Sequence, residues 1–134
     1  MNARILVIED NEINLELVTD LLEAHGFQVD RARTAEEGLR LARQLLPELV
    51  LLDLSLPGMD GLAAARALRA DPVINHLRVI ALTAHAMKGD EATALEAGCD
   101  AYLTKPINTR TFPEQIKRFI GTARASLRTT ISHS

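Results

Sequence analysis

Residues Val50 to Gly61 read VLLDLSLPGMDG, and the order of residue types in that stretch decides how the chain is built. Val50, Leu51 and Leu52 are apolar without alternation, the pattern of a strand covered on both faces, whereas Pro57 and Gly58 cannot continue a strand. Asp53 therefore stands at the strand's C-terminal end. In an open α/β sheet that edge is where ligands bind, so this carboxylate is a candidate site; capping a turn is the other ordinary use of an Asp here.

Upstream, the same grammar repeats. Arg4 to Ile8 is a short β-branched run followed directly by Glu9 and Asp10, so a second strand also ends in carboxylates. From Asn11 the apolar residues Ile13, Leu17, Val18, Leu21 and Leu22 recur at helical spacing, and they predict the face that this helix lays on the sheet, with Gly26 as its stop. Phe27 to Ala32 predicts a strand. Thr34 and Glu37 form a capping box for a helix carrying Leu39, Ala42, Leu45 and Leu46 and ending before Pro47.

Downstream of the Asp53 loop, Asp60 is placed to cap a helix whose stripe is Leu62, Ala64, Ala65 and Leu68, with Arg66 opposite, Arg69 at the margin and Pro72 ending it. Val79 to Leu82 is another doubly covered strand, finishing at Thr83, with small Ala84 next. A polar helix is expected from about Lys88 to Gly98. Ala101 to Thr104 is a fifth strand, ended by Lys105 and Pro106. Thr109 or Thr111 is expected to cap a last helix with Pro113 in its first turn and Phe112, Ile116, Phe119 and Ile120 on its apolar face. The division expected is one domain over residues 1–122 and a flexible polar tail over 123–134.

Five strand patterns alternating with five helices imply an α/β fold, a parallel sheet with right-handed crossovers and helices on both faces. The 134 residues fit one domain, and 47% apolar content supplies its core. A net charge of -3 argues against a nucleic-acid footprint. Cys99, the single cysteine, reads as a small buried hydrophobe in a reducing, cytoplasmic setting, and no signal peptide or membrane span is visible. His25, His76 and His133 show no ligand spacing.

All strands of such a sheet share one C-terminal edge, so Glu9, Asp10, Asp53, Thr83 and Lys105 should converge. Two carboxylates about 4 Å apart repel by roughly 4 kcal/mol at an effective dielectric near 20, so three together require a cation. Oxygen-only ligands select a hard ion, and Mg²⁺ suits a site with few carboxylates and several waters.

VIEDNEIN, VLLDLSLPGMDG, ALTA and YLTKP, in this order, resemble the receiver domain of two-component response regulators, over about Arg4 to Ile120. The resemblance implies a flavodoxin-like (βα)5 fold with strand order 2-1-3-4-5. It also implies Asp53 as the phosphoacceptor, with Mg²⁺ held by Asp10, Asp53 and the main-chain carbonyl of Ser55, and by Glu9 through water. Lys105 would pair with phosphoryl oxygens, Thr83 would hydrogen-bond one of them, and Tyr102 would turn inward on activation. Ser55 and His85 would tune the phosphoryl lifetime, and the Lys105-Pro106 bond would be cis. A histidine kinase or phosphotransfer protein would be the donor and a downstream protein the target, the chain acting as a signalling switch, not a classical enzyme, and as a monomer or weak dimer. Within the family the chain is most similar to single-domain regulators of the DivK kind, or to a receiver cut from a hybrid histidine kinase.

Two other classes share some of these features. An aspartate-nucleophile phosphatase also ends a parallel strand in Asp, but calls for a second Asp two places on, where Ser55 stands. A phosphorylation-independent receiver-like scaffold would typically lack one of the acids or the lysine.

Overall fold

The computed structural model describes residues 3–55, 61–84 and 90–124. Five strands, β1 (Arg4–Ile8), β2 (Gln28–Ala32), β3 (Leu49–Asp53), β4 (Arg78–Thr83) and β5 (Ala101–Thr104), alternate with α1 (Glu12–Ala24), α2 (Ala35–Leu45), α3 (Gly61–Ala70), α4 (Asp90–Ala97) and α5 (Phe112–Gly121). All neighbouring strands are parallel, in the order β2-β1-β3-β4-β5 expected from the resemblance.

Alternating strand residues divide the core in two. Ile5, Val7, Leu49, Leu51, Ile80 and Leu82 pack with Leu15, Val18 and Leu22 of α1 and Phe112 and Ile116 of α5. Leu6, Ile8, Val50, Leu52, Val79 and Ala81 face α2, α3 and α4 through Ala35, Ala42, Ala64, Ala65, Leu68, Ala94 and Ala97. The continuous apolar runs of β1, β3 and β4 follow from this double covering, since both faces of each strand must be dry. Cys99 is buried, as expected of a small hydrophobe.

Helix starts follow the sequence signals where polar caps exist. Asn11 accepts from the Asn14 N–H at 3.0 Å and Thr34 from the Glu37 N–H at 3.1 Å. Gly26, at φ 89°, follows the end of α1 in the left-handed region that favours glycine. At α5, Thr111 occupies the cap position but its hydroxyl makes no capping bond; Asn108 instead accepts from the Arg110 and Thr111 N–H groups. The expected caps Asp60 and start Lys88 lie outside the described residues.

The face of α1 corrects the sequence reading. Ile13 is 77% exposed and Leu17 40%, while Leu15, Val18, Thr19 and Leu22 point inward. Apolar residues at 13, 15, 17, 18, 21 and 22 offer two overlapping stripes, and helical periodicity alone does not choose between them. Leu46, also assigned to a buried face, is the left-handed C-cap of α2 and is half exposed.

Candidate functional site

The sheet register carries the strand-end residues to one place. Beyond the strands the ladder continues for one more residue at each. The Glu9 N–H donates to the Ala32 carbonyl at 3.0 Å, the Leu54 N–H to Leu82 at 2.9 Å, and the Lys105 N–H to Thr83 at 2.8 Å. These bonds hold Glu9, Asp53 and Lys105 by backbone, so their side chains meet without flexible loops setting their distance. Glu9, Asp10 and Asp53 each offer a carboxylate oxygen within 4.8 Å of the others. Lys105 Nζ lies 3.1 Å from Glu9 Oε1 and 3.2 Å from Asp53 Oδ2. Its preceding strand end is followed by a cis Lys105–Pro106 bond, as the resemblance implies.

Asp53 is engaged on both oxygens, because the Ser55 N–H donates to Oδ1 at 2.9 Å while Oδ2 faces Lys105. Gly61 begins α3 directly against this turn, where a Cβ would collide with the Leu54 backbone and approach the Asp53 carbonyl. Thr83 is buried at the end of β4 and Tyr102 is half-buried on β5, opposite Ala81, packing on the α2–α4 side of the core. Ser55 is exposed. Ala84 is exposed beyond Thr83, and His85 lies outside the described residues.

Charge is unevenly distributed within the cluster. Glu9 is fully buried, and burial pushes its carboxyl up to about 7, reinforced by a hydrogen bond with Asp53. Burial would push Asp53 the same way, but the bond from the Glu9 carboxyl, the Ser55 N–H and Lys105 together outweigh it and hold Asp53 below the usual range. Burial likewise disfavours the Lys105 ammonium, and the bond to Glu9 with the charge of Asp53 outweighs it, so this amine stays charged. Metal-free, the cluster therefore favours an ionised Asp53 and a cationic Lys105, and a proton it retains sits on Glu9.

Even so, Glu9 Oε2 is buried and has no hydrogen-bond partner among the described residues. Among the described residues three carboxyl groups lie in one cluster with a single ammonium, and one buried Glu9 oxygen lacks a hydrogen-bond partner, a combination satisfied by a hard cation with its coordinated waters. The donor set fits Mg²⁺.

A doubly wound parallel sheet that gathers three acids, a hydroxyl and a lysine on its C-terminal edge, with no glycine-rich loop after β1, defines a phosphoryl-accepting α/β domain and not a nucleotide carrier. The family comparison agrees. The response regulator receiver domain model matches residues 5–117, and the chain belongs to that family. It is similar to the polar-differentiation response regulator DivK of Brucella ovis, 44% identical over 123 residues that span 92% of this chain and the whole of that protein. Among solved structures it is similar to the receiver domain of a sensor histidine kinase from Pseudomonas aeruginosa, a structure with a magnesium ion coordinated in its active-site cleft. That pair is 32% identical with a TM-score of 0.83, covering 91% of this chain and all of the other. A CheY-like receiver domain protein from Methanospirillum hungatei is 31% identical, with a TM-score of 0.82 over 90% of this chain and 95% of the other.

One charged group was missed by the sequence reading. Arg69, at the margin of the α3 stripe, is largely buried and pairs with fully buried Asp100. An Asp in the short turn between Gly98 and β5 reads as a turn residue, so sequence offered no signal for it.

Proposed function

We propose that the chain is a phosphorylation-driven switch in which Asp53 accepts a phosphoryl group from a histidine kinase or phosphotransfer protein. The single observation that carries this is the ionised, buried Asp53 carboxylate lying 3.2 Å from Lys105 and within one cluster with Glu9 and Asp10. An Asp53 oxygen attacks phosphorus and the donor's phosphorus–nitrogen bond breaks, leaving an acyl phosphate. Lys105 neutralises charge on the phosphoryl oxygens, and the backbone of Ser55 and the register of β3 fix the direction of attack. Mg²⁺, held by Asp10, Asp53 and the Ser55 carbonyl and by Glu9 through water, would supply further neutralisation of the phosphoryl charge.

Thr83 then hydrogen-bonds a phosphoryl oxygen, and Tyr102 moves into the space that Thr83 leaves. The result is a changed surface around α4 and β5 that a downstream protein reads. Ser55 and His85 would tune how long the phosphoryl group survives, as the family resemblance implies. The donor seats against an exposed apolar patch beside Lys105. There, Asn14 and Leu17 of α1 with Lys105, Pro106 and Ile107 line a cavity of about 340 Å³, and Ile13 stands exposed on the same helix. Apart from formation and loss of its own acyl phosphate the chain performs no catalysis. A cytoplasmic place fits a lone buried cysteine and the absence, among the described residues, of any helix long and apolar enough to cross a membrane. Residues 1–122 form the receiver unit, and the chain acts as a monomer or weak dimer.

Incubation with acetyl phosphate and Mg²⁺, read by intact-mass spectrometry, tests the reading. Wild type should gain one phosphoryl group, lost on adding EDTA beforehand, and Asp53→Asn should gain none while keeping its circular dichroism spectrum. Equal labelling of the Asp53→Asn protein would move the phosphoacceptor elsewhere.

A further inference from the structure

The sheet edge remote from Asp53 holds a second buried charge cluster that the phosphoacceptor chemistry does not use. Asp100, in the turn between α4 and β5, is fully buried. Its Oδ2 accepts from Arg69 Nη2 at 2.7 Å and from the Val79 N–H at 3.0 Å. Arg124 Nε reaches Oδ1 and Oδ2 at 3.0 and 3.1 Å. One carboxylate thus serves two guanidinium groups.

The two arginines are not equivalent. Arg69 is largely buried and also donates to the carbonyls of Gly98, Asn75 and Leu77 at 2.7, 2.9 and 2.6 Å. Arg124, whose side chain is 33% exposed, adds a single long bond of 3.4 Å to the Asn75 carbonyl. Freeing Arg69 would strand a buried carboxylate's main partner and three carbonyls, whereas freeing Arg124 leaves Asp100 paired and puts a guanidinium into water, where it is well solvated. The second contact is therefore detachable. It is also not alone: Arg78, the first residue of β4, donates through Nε and Nη2 to the Thr122 carbonyl at 3.3 and 3.0 Å. Thr122–Arg124, the residues just past α5, are strapped across the N-terminal ends of β4 and β5.

Asp100 is also tied to the strand pair that the switch uses. Its N–H donates to the Val79 carbonyl at 2.8 Å, and it lies two residues before Tyr102 on a strand of four residues. A shift of β5 that accompanies movement of Tyr102 would carry the Asp100 carboxylate with it, and Arg124 holds that carboxylate through a single Nε–H shared between Oδ1 and Oδ2 at 3.0 and 3.1 Å, a weaker hold than two separate bonds.

We propose that Thr122–Arg124 form a releasable latch on Asp100 that opens when the phosphoacceptor end rearranges, giving the chain a second phosphorylation-dependent surface at the opposite edge of the sheet. This rests on the phosphoacceptor reading above. Coupling between sites is reciprocal, so the factor by which the loaded site favours latch opening is about the factor by which loss of the latch tightens loading.

The test uses the full chain with Mg²⁺ and beryllofluoride, an unreactive phosphoryl mimic, and reads amide and Arg side-chain exchange by NMR. In wild type, beryllofluoride should speed exchange of the Arg124 and Arg78 Nε–H groups, the donors that hold the latch, roughly 5- to 10-fold, with no such change in Asp53→Asn. Arg124→Gln should stay folded and bind beryllofluoride tighter by about the same factor, while Arg69→Gln should lose much of its thermal stability. If beryllofluoride shifts the Tyr102 region in wild type but leaves Arg124 and Arg78 Nε–H exchange unchanged, the latch is a static clamp and the proposal falls while the phosphoacceptor reading stands. If beryllofluoride shifts nothing around Asp53, the phosphoacceptor reading fails first and takes the latch with it. The wild-type exchange comparison needs no variant, so poor folding of Arg124→Gln would not spare the proposal.

Discussion

The two edges of the sheet hold their buried charges in opposite ways. At the N-terminal edge one carboxylate, Asp100, has two guanidinium partners and a backbone N–H, and its oxygens are fully engaged. At the C-terminal edge three carboxyl groups lie together, Lys105 pairs with Glu9 and Asp53, and Glu9 Oε2 has no hydrogen-bond partner among the described residues. Both clusters are buried, and burial alone would mark neither as a site. The sign of the imbalance separates them. Cations in excess of a satisfied acid build a strut, whereas acids in excess of their cation leave work for an incoming metal and a phosphoryl group.

That difference predicts opposite responses to removing an acid. Asp100→Asn should be the most damaging of these changes, costing about 3 to 5 kcal/mol because the largely buried Arg69 guanidinium loses its counter-charge; urea denaturation measures it. A cost below 1 kcal/mol would mean that Arg69 and Arg124 are adequately served by carbonyls and water.

The next effect is a pH dependence at the acid-rich edge. Glu9 is raised from 4.5 to about 7 by burial first and by its bond with Asp53 second. The folded protein then keeps a proton that the unfolded chain has lost, so the stability from this group is full below pH 4.5 and disappears as pH rises to about 7. Without Mg²⁺ the loss should reach at most about 3 kcal/mol. Glu9→Gln should flatten that slope, and a slope that survives the substitution would place the titrating group elsewhere.

Smaller again, Asp10→Asn should stabilise the metal-free domain, by about 1 kcal/mol, through relief of repulsion, while weakening Mg²⁺ binding. Thermal unfolding in EDTA reads the first effect and Mg²⁺ titration the second. A destabilised Asp10→Asn protein would show that Asp10 serves the fold more than the site.

How much of this could be read in the chain follows from the same physics. Apolar runs at Ile5–Ile8, Val50–Leu52 and Val79–Leu82 admit one use, a strand dry on both faces, and a parallel sheet gives all strand ends one edge. Glu9, Asp53 and Thr83 were legible because each follows such a run directly, and Lys105 because it ends the short fifth strand just before Pro106. Helix α1 was less so. Its six apolar positions define two stripes, and the one containing Ile13 and Leu17 faces solvent beside Lys105 because the sheet takes the other. Asp100 and Arg124 were not legible at all. Their pairing spans 24 residues and depends on where the chain leaves α5, which no local pattern records.

The central claim, that the acid-rich edge awaits a cation, is tested most directly by isothermal titration of Mg²⁺ into the protein near pH 6 in two buffers of different ionisation enthalpy. With Glu9 raised to about 7, metal binding should displace the proton it holds, so close to one proton should be released per ion, falling toward none well above pH 7. Mg²⁺ binding without proton release at pH 6, or no binding at either pH, would contradict the account.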